Sequence, residues 1–157
     1  MAYCTADEVI GMLKTGMIGY IVGADDEDLG DDYTPEMLRE AVRPLAESAV
    51  EDAQAEIDGY LAKRYDVPFK KTPKVISKFA KDIALYNLVS RKGVDESDRE
   101  KIYLTRYKDA IAFLTKVAEG KIDIGVEESH TTQAAAQNGF SMESAERIFS
   151  RNSMMGW

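Results

Sequence analysis

The chain has 157 residues and a mass of 17.5 kDa, and 45% of its residues are hydrophobic, which is enough to form one hydrophobic core. Its 28 acidic and 20 basic residues give a formal net charge of −8, which disfavours general attraction to nucleic acid or to an anionic membrane surface. One cysteine, Cys4, excludes an internal disulfide, and one histidine, His130, excludes a local Cys/His zinc cluster.

Targeting and membrane signals are also missing from the sequence. No stretch approaches the roughly 20 consecutive apolar residues that a membrane span requires, and the N-terminus lacks a basic stretch followed by an apolar one. We therefore expect a cytosolic, reduced protein that has no membrane partner.

The N-terminal residues predict a short helix. Thr5 lies three residues before Glu8, which is the spacing of a capping box, and apolar residues follow on one face. Gly16 is expected to close this helix. A small apolar run follows, and then six acids fall within the eight residues from Asp25 to Asp32, which predicts an exposed loop.

A long helix is predicted to begin at Thr34 and Pro35, because threonine can cap a helix and proline is favoured at the first helical position. Apolar residues then recur at steps of three and four as far as Leu61. Pro44 interrupts this pattern. It predicts either a bend near Val42 or two helices in sequence.

Two further helices are predicted by the same periodicity. The third runs from Pro73 to about Arg91 and is expected to be the most buried, because apolar residues widen its inner face. The fourth is marked by apolar residues from Tyr103 to Ala118, and Gly120 would end it as a C-terminal glycine cap. The predicted fold class is therefore mainly α, a small helical bundle with one long helix.

The composition changes near residue 125. Residues 1–125 are expected to form the helical domain, and residues 126–157 a flexible polar linker with an extended apolar C-terminal tail. The tail is interpreted either as folding back on its own domain or as adding to a neighbouring molecule, as tethered apolar segments can do. Its candidate contact residues are Ile148, Phe149, Arg151 and Trp157.

A basic stretch is the second candidate for contacts. Seven cations fall within nineteen residues that contain one acid, Asp66, and three of the lysines share one face of the third helix. This pattern is typical of a solvated helix face. The alternative is an electrostatic match to an acidic surface, such as the acidic loop or a helix of a second copy. The candidate contact residues here are Lys70, Lys71, Lys74 and Lys78.

The acidic loop also resembles part of a calcium-binding EF-hand loop. If Asp25 is the first position, Gly30 falls at the sixth and Glu36 at the twelfth, but Leu29 occupies the fifth and has no side-chain oxygen. A solvated loop is therefore the favoured interpretation. The alternative is a calcium-responsive regulatory module with Asp25, Glu27, Asp31 and Glu36 as ligands.

No residue is assigned a catalytic role, and no cofactor or metal is expected. His130 lies in the predicted linker, where nothing would hold it beside a nucleophile, and Cys4 has no nearby base in sequence. The sequence contains neither a P-loop nor a dinucleotide-binding glycine motif. We therefore do not expect an enzyme.

Five segments together resemble a family of small proteins of unknown function found in Mu-like phages and prophages. They are "MAYCTADEVI", "AEIDGYLAKRYDVPF", "DIALYNLVSRKG", "RYKDAIAFLTKVAEGKIDIG" and "RIFSRNSMMGW", and they occur in the same order over nearly the whole chain. That family is similar to the helical head–tail connector proteins of tailed phages. The acidic segment before the long helix and the "EESHTTQAAAQNG" segment depart from its pattern.

The resemblance implies a virion structural protein that docks below the portal at the head–tail neck, after assembly in the host cytoplasm. Its implied partners are further copies of itself in a ring, the portal protein and a stopper or tail-completion protein. DNA would pass through the channel without specific binding, and acidic residues facing the channel would let it slide. A transient assembly factor that leaves before maturation is the remaining alternative.

The resemblance also identifies the segment from Ala55 to Pro73 as the recurring turn after the long helix. Four apolar residues are expected to pack this corner, while Pro68 and Pro73 stiffen it. Gly59, inside the long helix, is interpreted as the mark of a close helix–helix approach. The packing residues are Tyr60, Tyr65, Val67 and Phe69.

Overall fold

The computed structural model describes residues 2–23, 34–93 and 98–127. These residues form five α-helices and one short 3-10 turn, Ser90–Lys92, and contain no strand. The mainly α prediction is confirmed. The helices are α1 (Ala6–Gly11), α2 (Thr15–Val22), α3 (Pro35–Leu61), α4 (Lys74–Val89) and α5 (Asp98–Ala118).

The N-terminal region forms two helices where the sequence predicted one. The capping box of α1 is confirmed, since the Glu8 backbone N–H donates to Thr5 Oγ1 at 3.3 Å and the Glu8 carboxylate accepts from the Thr5 backbone N–H at 3.0 Å. The predicted stop at Gly16 is wrong, because α1 ends at Gly11 and Gly16 lies within α2. Burial of Ile18 and Ile21 in the core stabilises α2 despite its glycines.

Helix α3 is one helix of 27 residues that passes through Pro44, so the alternative of two helices in sequence is wrong. Its predicted start is confirmed, because Thr34 Oγ1 accepts from the Met37 backbone N–H at 3.3 Å and Pro35 occupies the first turn. Pro44 is exposed. Solvent can therefore reach the carbonyl that the proline leaves without its intrahelical donor.

The corner between α3 and α4 packs as predicted. Tyr65 and Phe69 are 1% and 4% exposed, and their rings meet edge to face with centroids 6.0 Å apart. Tyr60 and Val67 pack against the core from its margin. The Val67–Pro68 peptide bond is cis.

The interpretation of Gly59 is wrong. This residue is exposed, and a Cβ atom built on it would meet nothing within 4 Å among the described residues. No helix of the described chain therefore approaches α3 closely at this point.

Helix α4 lies at the centre of the bundle and contacts α1, α3 and α5. Nine of its 16 residues are buried, the largest share of any helix in the described ranges, which confirms the prediction. At the end of α5, the backbone N–H groups of Gly120 and Lys121 donate to the carbonyls of Val117 and Lys116 at 3.0 and 2.9 Å. With Gly120 at φ +81°, these bonds form a Schellman cap, as predicted.

Candidate interaction surface

A groove about 520 Å³ in volume opens where the N-terminal residues, α4 and α5 meet. We call it the basic groove, because four of its lining residues are cationic. It is lined by Tyr3, Met12, Thr72, Lys74, Ser77, Lys78, Lys81, Asp82 and Arg106.

Helical periodicity produces the basic side of this groove. Lys74, Lys78 and Lys81 are separated by four and three residues, so they project from one face of α4. Arg106 comes from α5, which packs beside α4. The groove therefore depends on the packing of the two helices as well as on the local sequence of α4.

Asp82 is the buried anion of the groove, with only 2% of its surface exposed. Its Oδ2 atom lies 3.3 Å from Lys78 Nζ, and its Oδ1 atom lies 3.1 Å from Arg106 Nε. Among the described residues no donor is aligned to give Oδ1 a hydrogen bond, so its contact with Arg106 is an ion pair only. A buried carboxylate needs such pairing, because removing a charge from water is costly.

Lys81 forms an ion pair with Glu8, an acidic residue of α1. Its Nζ donates to Glu8 Oε1 at 2.9 Å, and this hydrogen bond lowers the pKa of Glu8 and raises the pKa of Lys81 from their usual values. Both side chains are partly exposed to solvent, with 28% of Lys81 and 44% of Glu8 accessible. The pair therefore joins α1 to α4 without adding much stability.

The groove keeps a net positive charge after these pairings, because four cations face only two carboxylates, Asp82 and Glu8. Lys74 is exposed and forms no ion pair within the described ranges. In a chain whose net charge is −8, this local excess favours contact with an anionic surface.

A second charged surface runs along α3. Glu40, Glu47 and Glu51 are exposed and separated by seven and four residues, so they form one line on the helix, which we call the acidic edge. Glu47 and Glu51 have no cation within 4 Å among the described residues, whereas Glu40 lies 3.7 Å from Arg43. The small exposed residues beside this line include Ala41, Ser48 and Ala55.

The structure brings together only some of the residues predicted for contacts. Lys74 and Lys78 line the basic groove with Lys81, whereas Lys70 and Lys71 are exposed on the corner and do not line it. The predicted tail contacts Ile148, Phe149, Arg151 and Trp157 lie outside the described residues. Their role therefore remains a prediction.

The proposed calcium ligands are also mostly outside the described ranges, as is His130; only Glu36 is described, exposed in the first turn of α3. Within the described part of the chain, no group of three or more His, Cys, Asp or Glu residues is placed to hold a metal ion. None of the helices among these residues is long and apolar enough to cross a membrane.

Two charged residues of the groove, Asp82 and Arg106, were missed from sequence. The spacing of Lys78 and Asp82, four residues apart on a helix, was the available signal for the first. No local pattern signals Arg106, which reaches Asp82 only because α4 and α5 pack together.

Comparisons with known proteins identify the family. The family described as Bacteriophage Mu, Gp36 matches residues 3–143. The chain is 34% identical to the Mu-like prophage FluMu protein gp36 of Haemophilus influenzae over 146 residues, which cover 87% of this chain and 99% of that protein. It is 31% identical to Gene product J of Escherichia phage Mu over 107 residues, which cover 68% of this chain and 72% of that protein. The chain is therefore a phage protein that belongs to the Gp36 family of Mu-like phages and prophages.

Proposed function

We propose that this protein is a virion structural protein, a head–tail connector subunit that assembles with further copies of itself below the portal. In this role it completes the head and joins it to the tail through a stopper or tail-completion protein. DNA passes through the assembled channel without specific binding.

The observation that carries the proposal is the charge distribution on a helical protein of a Mu-like phage family. An acidic chain presents a basic groove next to its N-terminal residues and an acidic edge on α3. Surfaces of unlike charge on one subunit suit assembly with partners of opposite charge. The resemblance of the family to head–tail connector proteins supports the location of this assembly at the neck.

Immunogold electron microscopy tests the location directly. Antibody against this chain is applied to finished particles from the induced lysate of a host strain that carries the prophage. The matched control is the induced lysate of the same strain with the gene for this protein deleted. The proposal predicts gold at the head–tail neck of wild-type particles.

Absence of the protein from finished particles, despite its expression in the lysate, would overturn the connector role. That result would favour a transient assembly factor. Gold distributed over the head shell or along the tail would also contradict the proposal, because both locations lie away from the portal.

A further inference from the structure

We propose that the basic groove of one copy binds the acidic edge of α3 of a second copy, in a head-to-tail contact. Lys74 and Lys78 of the groove pair with Glu51 and Glu47 of the neighbour, with the two helices running antiparallel. This inference deepens the proposed function, on which it rests, by specifying how adjacent connector subunits meet.

The spacing of the charges supports this pairing. Lys74 and Lys78 are four residues apart on α4, and Glu47 and Glu51 are four residues apart on α3. Each pair therefore spans about 6 Å along its helix axis, at a rise of about 1.5 Å per residue. Two helices lying side by side can place both ion pairs in register.

The ion pairs that exist within one copy also support the choice of these four residues. Lys74 forms no ion pair within the described ranges, and Lys78, whose side chain is 62% exposed, shares the single carboxylate of Asp82 with Arg106, whereas Lys81 is paired with Glu8. On the acidic edge, Glu47 and Glu51 have no ion pair within 4 Å in the described ranges, whereas Glu40 contacts Arg43. Lys74 of the groove and Glu47 and Glu51 of the acidic edge are thus opposite charges that form no ion pair within the described ranges of one copy, and Lys78 shares its anion with Arg106.

The surface beside Glu47 and Glu51 allows a helix to approach closely. Ser48, Ala55 and Gly59 are exposed there, and a Cβ atom on Gly59 would meet nothing within 4 Å. Small side chains permit the short interaxial distances, about 8 Å, at the lower end of helix packing. At such a distance lysine and glutamate side chains can reach each other.

The contact must join two copies. The core stripe of α3 includes Ala49 and Ala53, and helical periodicity places Glu51 on the opposite side of the helix. The acidic edge is therefore turned away from the α4 of its own chain. Because groove and edge are different surfaces, each copy can use both at once, which allows a ring when the rotation closes.

A cross-linking experiment tests the contact. Ser77→Cys places a thiol in the groove, and Ser48→Cys places one beside Glu47. The native Cys4 is buried, with 4% of its surface exposed. The full-length chain carrying both substitutions, treated with a short bismaleimide at high protein concentration, is expected to give a ladder of dimers, trimers and larger products.

The matched controls are the two single-cysteine variants, which should remain monomeric when treated alone and give only dimers when mixed. Circular dichroism confirms that each variant is folded. Dimers without a ladder from the double variant would overturn the head-to-tail geometry, because a two-fold contact closes on itself. No cross-link between these positions, in solution or in purified particles, would overturn the contact itself.

Charge reversal tests whether the charges themselves form the contact, because the loss and recovery of the ladder would not be expected if these residues had only a structural role. Lys74→Glu should reduce the ladder about tenfold or more, and Glu51→Lys should do the same, because like charges then face each other. The two substitutions together should restore it. Lys71→Glu, an exposed change outside the groove, is the matched control and should leave the ladder intact.

The outcomes separate this inference from the proposed function. A ladder from a protein that is absent from finished particles would support the contact and overturn the connector role. Gold at the neck without any cross-link in those particles would support the connector role and overturn this contact. Failure of the double charge reversal to restore the ladder would contradict the pairing of Lys74 with Glu51.

Discussion

The hydroxyl of Tyr3 donates a hydrogen bond to the carboxylate of Asp58, which lies 55 residues further along the chain. The same hydroxyl accepts from the Phe69 backbone N–H at 3.3 Å, and the Tyr3 ring packs against the Phe69 ring with centroids 5.8 Å apart. One buried side chain thus joins the N-terminal segment to the end of α3 and to the corner. Since Tyr3 also lines the basic groove, these bonds hold one wall of the proposed interface.

Tyr3→Phe should lower the free energy of unfolding by about 1–3 kcal/mol, because it removes a hydrogen bond to a carboxylate and leaves the Phe69 N–H without its acceptor. Urea denaturation followed by circular dichroism measures the change. Tyr86→Phe is the matched control, since the Tyr86 ring stacks on Tyr107 at 4.5 Å but its hydroxyl forms no hydrogen bond within the described ranges. Equal destabilisation by both variants would show that the Tyr3 hydroxyl has no special role.

Local signals in the sequence predicted three helix ends, the starts of α1 and α3 and the end of α5. Thr5 with Glu8, Thr34 with Pro35, and Gly120 each satisfy backbone groups within a few residues, so their effect can be read without the tertiary structure. Helix α2 was missed for the opposite reason. It has no side-chain cap and contains glycines, and packing of its isoleucines in the core determines its conformation.

Only the lysine side of the basic groove could be predicted from the sequence. The face shared by Lys74, Lys78 and Lys81 follows from helical spacing, which is a property of the sequence. The contribution of Arg106 depends on how α5 crosses α4, and the burial of Asp82 depends on both helices. Local periodicity contains no information about which helices become neighbours.

Gly59→Ala should stabilise the protein by about 0.5–1 kcal/mol, because alanine has less freedom to lose on entering a helix and nothing obstructs its Cβ atom. Thermal denaturation measures the effect. Gly120→Ala provides the contrast and should destabilise by about 1 kcal/mol or more, because φ at this cap is +81° and alanine adopts such values at a cost. Destabilisation by Gly59→Ala would indicate that another part of the chain occupies the space beside Gly59.

Asp82→Asn should destabilise the fold by about 1–3 kcal/mol, because it removes the anion that compensates Lys78 and Arg106. The two cations are partly exposed, so solvent limits the loss. Asp7→Asn is the matched control. It breaks an ion pair of similar length, 2.9 Å from Arg43, but 70% of Asp7 is exposed, so the cost should stay below about 1 kcal/mol.

Urea denaturation of both variants at neutral pH compares the two costs. An Asp82→Asn variant as stable as the wild type would show that the buried carboxylate is dispensable for folding. The negative charge of Asp82, which compensates Lys78 and Arg106, would then matter only for contacts that the groove makes with a partner.

Alkaline pH should weaken the fold through Tyr107. Burial raises the pKa of this phenol from its usual value of 10.0 to about 12, and its hydrogen bond to Glu56, 2.8 Å long, acts in the same direction. The folded state therefore holds the proton more tightly than the unfolded state. The resulting stabilisation is complete below pH 10 and is lost as the pH rises towards 12.

Tyr107→Phe should flatten the decline in stability over this alkaline range, although it lowers stability at neutral pH by removing the bond to Glu56. Urea midpoints measured at a series of pH values test the slope. Tyr86→Phe is the control for loss of a hydroxyl in the same ring pair. An unchanged alkaline slope in Tyr107→Phe would assign the decline to other groups, and Tyr3, whose pKa burial also raises, would be the next to test.

Cys4 should resist thiol reagents in the folded protein. Its side chain is buried with 4% exposed, and burial raises its pKa from the usual 9.0 to about 11. At pH 8 the reactive thiolate should therefore be roughly a hundredfold scarcer than for an ordinary cysteine. The reagent can also reach the buried thiol only when the N-terminal segment opens locally.

Ser48→Cys adds an exposed thiol and provides an internal reference. Absorbance after addition of an aromatic disulfide should show one fast thiol in this variant and none in the wild type, and denaturation should expose one additional thiol, Cys4, in each. Rapid reaction of Cys4 in the folded wild type would mean that the N-terminal segment detaches readily, and the contacts of Tyr3 with Asp58 and Phe69 would then be too weak to hold that wall of the groove.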